Sequence, residues 1–153
     1  PEALMRRLPL ILALALCPLL LQAQPLPEKQ IREILGRLDS DRVSLEYDCE
    51  TQGASPLHLS GTIILQGNCY FAKGNGMEIY CDGQTRWTVD PEEKEVYIEH
   101  SGGIREILDG DNSLKSLILK NIKYIPQTSG LRDFRFDSSS LDSSWVVTDL
   151  REE

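Results

Sequence analysis

Between Val43 and Thr51 apolar and polar side chains alternate without a break: Val43, Leu45, Tyr47, Cys49 and Thr51 fall on one side, Ser44, Glu46, Asp48 and Glu50 on the other. A period of two is that of a half-buried β-strand. Just upstream the period changes. Ile31, Ile34, Leu35 and Leu38 recur at helical spacing among Lys29, Arg32, Glu33 and Arg37. That predicts an amphipathic helix over Glu28–Leu38, with Pro27 suited to its first turn and Asp39-Ser40-Asp41 ending it. After a turn at Gln52–Pro56 a second strand runs from Leu57 to Gln66, with Leu57, Leu59, Gly61, Ile63 and Leu65 inward. Gly61 in its middle predicts a bulge or a sharp bend, a device that curls a sheet. Gly67-Asn68 then leads into a strand at Cys69–Lys73.

The stretch Ile79–Ile98 reads as three short strands. Asp82-Gly83 is a hairpin signal, and Asp90-Pro91-Glu92-Glu93 places Pro at the second position of a type I turn. Between the turns Thr85, Trp87 and Val89 point one way, Arg86 and Thr88 the other. Further on, Ile104-Arg105-Glu106-Ile107-Leu108 repeats Ile31-Arg32-Glu33-Ile34-Leu35 residue for residue. Five residues between Gly102-Gly103 and Asp109-Gly110-Asp111-Asn112 are too few to hold a helix alone, so a short strand and a turn are expected there. A long strand follows from Leu114 to Ile125, then alternation at Phe134–Phe136 and at Trp145–Asp149. About nine strands and one helix predict a mainly β (α+β) fold: a curled antiparallel sheet forming an unclosed half-barrel, with the N-terminal helix covering it.

Residues 1–23 read as a cleaved secretion signal, with Met5 as the start, Arg6-Arg7 as the basic end, an apolar run Leu8–Leu21 and Ala23 at the cleavage position. A membrane anchor is the rival reading. The run holds 14 residues, against ~20 needed to span a bilayer. Acylation of Cys17 is a second rival, opposed by Leu14-Ala15-Leu16 before it and by apolar residues continuing to Leu21. Residues 24–153 then form a single domain, from which Arg6, Arg7 and Glu2 have gone; 14 basic and 23 acidic residues remain, net −9. Such acidity disfavours nucleic acid and anionic membrane surfaces, which select basic patches.

Chemistry-bearing constellations are scarce. Ser138-Ser139-Ser140 and Ser143-Ser144 lack a nucleophile context, and His58 and His100 are far apart. No CxxC spacing suggests zinc, and Asp109-Gly110-Asp111-Asn112 lacks the spacing of a calcium loop. No enzyme, metal or cofactor is therefore expected. Cys49, Cys69 and Cys81 read as apolar packers in strands, although an oxidising compartment would allow two of them to pair.

What remains is apolar surface. The residues expected to line an interior are Leu45, Tyr47, Ile63, Leu65, Phe71, Trp87, Val89, Val96 and Ile98, with Ile34 and Leu38 from the helix. Residue types alone favour a packed core over a cavity. Against that, so many strands with a single helix leave more concave apolar surface than the helix covers, and curled sheets house ligands.

Three segments in order resemble the periplasmic lipoprotein carrier (LolA) family over residues 28–151: Gly61-Thr62-Ile63-Ile64-Leu65; Asp82-Gly83 followed by Trp87 and Asp90-Pro91; and Phe134-Arg135-Phe136-Asp137 with Val146–Arg151. The resemblance implies a half-barrel whose apolar interior takes lipoprotein acyl chains. It further implies a monomeric periplasmic carrier that receives cargo from an inner-membrane exporter and delivers it to an outer-membrane acceptor. Enclosure suits such a task, since ~15 methylenes in water cost on the order of 12 kcal/mol. Two departures from the family stand out. Gly67-Asn68 occupies the place of a basic residue that helps hold lid helices closed, and only Glu99–Gly103 bridges the gap where those helices belong. The alternative is a periplasmic adaptor or structural module with the same fold, a filled core and an exposed sheet edge.

Overall fold

The computed structural model describes residues 26–110 and 114–152. The expected secretion signal over residues 1–23, with Cys17, and Asp111-Asn112 lie outside the described residues. Within them the chain folds as helix α1 (Glu28–Arg37), strands β1 (Asp41–Thr51), β2 (His58–Gln66), β3 (Cys69–Gly74), β4 (Met77–Cys81), β5 (Thr85–Asp90) and β6 (Glu95–His100), helix α2 (Ile104–Gly110), and strands β7 (Leu114–Pro126) and β8 (Val146–Asp149). The eight strands form one mixed sheet, ordered β7-β1-β2-β3-β4-β5-β6-β8 and not closed into a barrel.

From β1 to β6 the sheet is a meander of tight connections, as the turn chemistry predicts. Asp82 accepts hydrogen bonds from the N–H groups of Gln84 and Thr85 in the β4–β5 turn. Asp90 does the same for Glu92 and Glu93 in the next turn. The expected bend at Gly61 takes another form. Gly61 lies directly opposite Gly74 with no shift of register, and a Cβ added to Gly61 would sit 2.1 Å from the Lys73 carbonyl oxygen. Glycine here permits close approach of two backbones. The irregularities fall instead between β1 and β7, one of them between Ser44 and Glu46, where Asn121 takes φ 52°. Asparagine visits this left-handed region more readily than other side chains do.

Three expectations along the C-terminal half are overturned. Ile104–Leu108 belongs to a helix, not a strand. Its first turn borrows hydrogen-bond acceptors from the β2–β3 turn: the Asn68 carbonyl accepts from Ile104 N–H at 3.2 Å and Asn68 Oδ1 from Arg105 N–H at 3.1 Å. A cap donated from distant sequence rescues a segment too short to nucleate alone. Second, Phe134 and Phe136 lie in no strand. Arg132–Phe134 is a single 3-10 turn, and Phe134 is fully buried, with the Arg42 guanidinium 5.2 Å from its ring centre. Third, the sheet is not antiparallel throughout, because β8 runs parallel to β6. The chain leaves β7 at one edge of the sheet and enters β8 beside Lys94, whose carbonyl accepts from Val146 N–H at 2.9 Å. It therefore travels in the direction of β6.

The pairing registers assign every strand residue to a face. One face carries Val43, Leu45, Tyr47, Ile63, Leu65, Tyr70, Ala72, Ile79 and Cys81. There, at the β7-β1-β2-β3 side, Ile34, Leu38 and Ile104 are buried in a cluster with Val43, Leu45, Leu65, Tyr70 and Ala72. The opposite face carries Phe71, Tyr80, Trp87, Val89, Val96 and Ile98. At the other side of the sheet the segment 131–145 packs on it through Phe136, Leu141 and Trp145. The sheet thus has two apolar layers, on opposite faces and displaced toward opposite edges.

Cys49, Cys69 and Cys81 are buried and free. Cys69 and Cys81 sit on neighbouring strands but on opposite faces, which rules out a bridge between them without backbone movement.

Candidate functional site

A pocket of about 220 Å³ lies against the first of these faces. Its floor is Leu45, Tyr47 and Cys49 of β1, Ile63 and Leu65 of β2, Ala72 of β3, and Leu114, Leu117 and Leu119 of β7. Its other wall comes from helices: Ile31 and Ile34 of α1, Ile104 and Ile107 of α2. The repeated Ile-Arg-Glu-Ile sequence explains this pairing. In each helix the two isoleucines are three positions apart and share a face, and both helices turn that face to the same pocket.

The electrostatics are those of a hydrocarbon-like interior. Among the described residues, no charged side chain lines the pocket. Burial raises the Tyr47 phenol and the Cys49 thiol above their ordinary values, with a further contribution from Cys49 in the first case and from Asp48 in the second. The charges nearby are spent on one another. Arg105 of α2 reaches Asp39 in the α1–β1 turn at 2.9 Å, and Lys115 reaches Glu50 at 3.0 Å. Arg37 pairs with Asp41 at 3.2 Å and stacks 4.1 Å above the Tyr124 ring.

Each helix is held at one end by polar contacts to the strands. The Leu38 carbonyl, just past α1, accepts from Gly67 N–H at 2.7 Å and from Gln127 Nε2 at 2.7 Å. Asn68 grips α2, its Nδ2 donating to the Gly102 carbonyl while its two oxygens accept from Ile104 and Arg105. Gly67-Asn68 thus contacts the end of α1 and the start of α2.

Of the residues expected to line an interior, Ile34, Leu45, Tyr47, Ile63 and Leu65 meet at this pocket. Leu38 is fully buried in the cluster beside it. Phe71, Trp87, Val89, Val96 and Ile98 do not join them, because the register places them on the opposite face. Val89, Val96 and Ile98 are buried there beneath Trp87, Tyr80, Phe136, Leu141 and Trp145, while Phe71 stacks on Tyr80 with ring centres 4.7 Å apart. On β3 it is Ala72, the neighbour of Phe71, that shares the face of Ile63. Ile31, Cys49, Ala72, Ile104, Ile107, Leu114, Leu117 and Leu119 complete the lining and were not anticipated. The internal repeat was the available signal for Ile31, Ile104 and Ile107.

Compared with models of protein families and with curated proteins, the chain matches none. Among the described residues no three His, Cys, Asp or Glu side chains gather in a way that could hold a metal ion, and no helix is long and apolar enough to cross a membrane.

Proposed function

We propose that the protein is a LolA-like carrier of lipoprotein acyl chains or another lipid, with α1 and α2 serving as movable covers over the pocket. One observation carries this reading: two helices with the same Ile-Arg-Glu-Ile sequence turn isoleucine pairs onto an uncharged pocket of about 220 Å³. A short helix, α2, between β6 and β7 supports the reading, since the family has its lid helices between the corresponding strands. Asn68 stands near the place of the family's basic residue and holds α2 by hydrogen bonds.

On this reading the protein works in the periplasm, takes cargo from an inner-membrane exporter and yields it to an outer-membrane acceptor. Adaptable aliphatic walls suit capture and release better than a rigid polar site does. The test is whether purified protein keeps a palmitoylated peptide in solution as a stoichiometric complex, and whether it releases lipoproteins from inner-membrane vesicles. Failure in the first assay removes lipid binding; success in the first and failure in the second removes transport alone.

A second reading, a periplasmic adaptor with the same fold, is favoured by Val146 and Val147 at the outer strand β8, which are 57% and 44% exposed. It predicts no complex with the lipopeptide and capture of a protein partner that Val146→Lys abolishes.

A further inference from the structure

We infer that the pocket takes a single unbranched alkyl chain, engaged over about nine carbons, and that it selects by the number and length of chains instead of by headgroup; this rests on the acyl-binding reading above. Three observations bear on it. The first is size. An enclosed cavity of ~150 Å³ suffices for a six-carbon benzene ring; on that scale the roughly 220 Å³ within the walls of this pocket, which is partly open to solvent, has room for about nine carbons. A second chain inserted to the same depth would need roughly twice the space.

The second observation is the wall chemistry. Apart from the Tyr47 hydroxyl and the Cys49 thiol, the described residues of the lining offer only hydrocarbon. Specific headgroup recognition requires placed polar groups, and among the described residues the pocket has none that carries charge. The third is the state of the neighbouring charges: Arg105 is engaged by Asp39 and Lys115 by Glu50. Each cation already has a carboxylate partner. A longer or multiply acylated lipid would then be held by one chain end, with its remainder outside the pocket.

Titration of the full chain with saturated fatty acids of about 6 to 14 carbons, kept below their micellar concentrations and read by calorimetry, tests the inference. Affinity should rise about fourfold per carbon, the fold-change corresponding to ~0.8 kcal/mol per CH₂, and then level off near nine carbons. A lysophospholipid and a fatty acid of equal chain length should bind within about threefold of each other. Ala72→Leu, which adds three carbons to the floor, should move the plateau about three carbons shorter; Ala72→Val, better suited to a strand, should move it about two. A steady climb through 14 carbons, a strong headgroup preference, or an unmoved plateau in a folded variant overturns the inference while leaving acyl binding intact. Absence of binding at every length overturns acyl binding itself.

Discussion

Asn68→Ala removes the side chain that ties α2 to the sheet while leaving the sheet's own contacts untouched. Two hydrogen bonds disappear, Oδ1 to Arg105 N–H at 3.1 Å and Nδ2 to the Gly102 carbonyl. The Asn68 backbone carbonyl keeps its bond from Ile104 N–H. At about 0.5–1 kcal/mol net for each of two partly exposed bonds, the lower part of the usual range, the docked form of α2 weakens by roughly 1–2 kcal/mol, in line with loss of a helix cap. Little compensates. The Arg105–Asp39 pair is 39% and 86% exposed, the kind of surface ion pair that contributes least, and a seven-residue helix does not persist unaided. The opening equilibrium of α2 should therefore rise about 5- to 30-fold. Native-state amide exchange reads this directly at Ile104 and Ile107, whose N–H groups bond to Asn68 and Gly103. Protection of β1, β2 and β3 should not change. Unaltered exchange at Ile104 and Ile107 would refute the assignment of Asn68 as the α2 anchor, as would equal acceleration across the sheet, which would mark Asn68 as a global stabiliser.

Truncating two apolar residues of the same helix unit should give contrasting results: Leu38→Ala, fully buried, should cost about 2–5 kcal/mol in urea unfolding, whereas Ile31→Ala, facing the pocket, should cost under ~1 kcal/mol while weakening alkyl binding. Gly61→Ala should destabilise by roughly 1–3 kcal/mol, because its Cβ meets the Lys73 backbone oxygen at 2.1 Å and backbone cannot swing aside; a neutral result in thermal melts would mean β2 and β3 lie farther apart than described. Burial alone would raise the Asp82 carboxyl, but the N–H groups of Thr85 and Gln84 and the Arg135 guanidinium outweigh it and hold Asp82 below the usual carboxylate range. A lowered native value means the stabilisation is complete above the unfolded value near ~3.9 and fades as pH falls through the native one. Urea midpoints measured from pH 6 downward should thus drop more steeply below about pH 4 in the unaltered protein than in Asp82→Asn.

How far the sequence could be read depended on whether the deciding interaction was local. The meander β1–β6 was legible because alternation and turn residues act within a few positions: Asp82 and Asp90 cap their own turns. The helix α1 announced itself by its apolar period. What escaped was decided at long range. Asn68, 36 positions before Ile104, turns a stretch flanked by glycines into α2. Arg42, 91 positions before Asp133, binds it at 2.8 Å and helps seat the Phe134 turn where alternation had suggested a strand. For the pocket, alternation within each strand was visible, but which face each strand presents depends on register between strands. Trp87 and Val89 alternate as cleanly as Leu45 and Tyr47 do, and nothing within either strand says that they face opposite ways.

The order of strands also bears on how the protein is made. β1 to β6 pair with their chain neighbours, while both outermost strands come from the last third of the chain, β7 joining β1 and β8 joining β6. Until residues 114–149 are in place, a ribbon of β1 to β6 therefore has both of its rims bare. The β1–β7 partners are 63 to 85 positions apart, the kind of distant pairing that forms slowly and leaves nascent chains open to aggregation. Closing both rims therefore waits on the last strands of the chain, and anything that delays residues 114–149 leaves two open sheet edges at once.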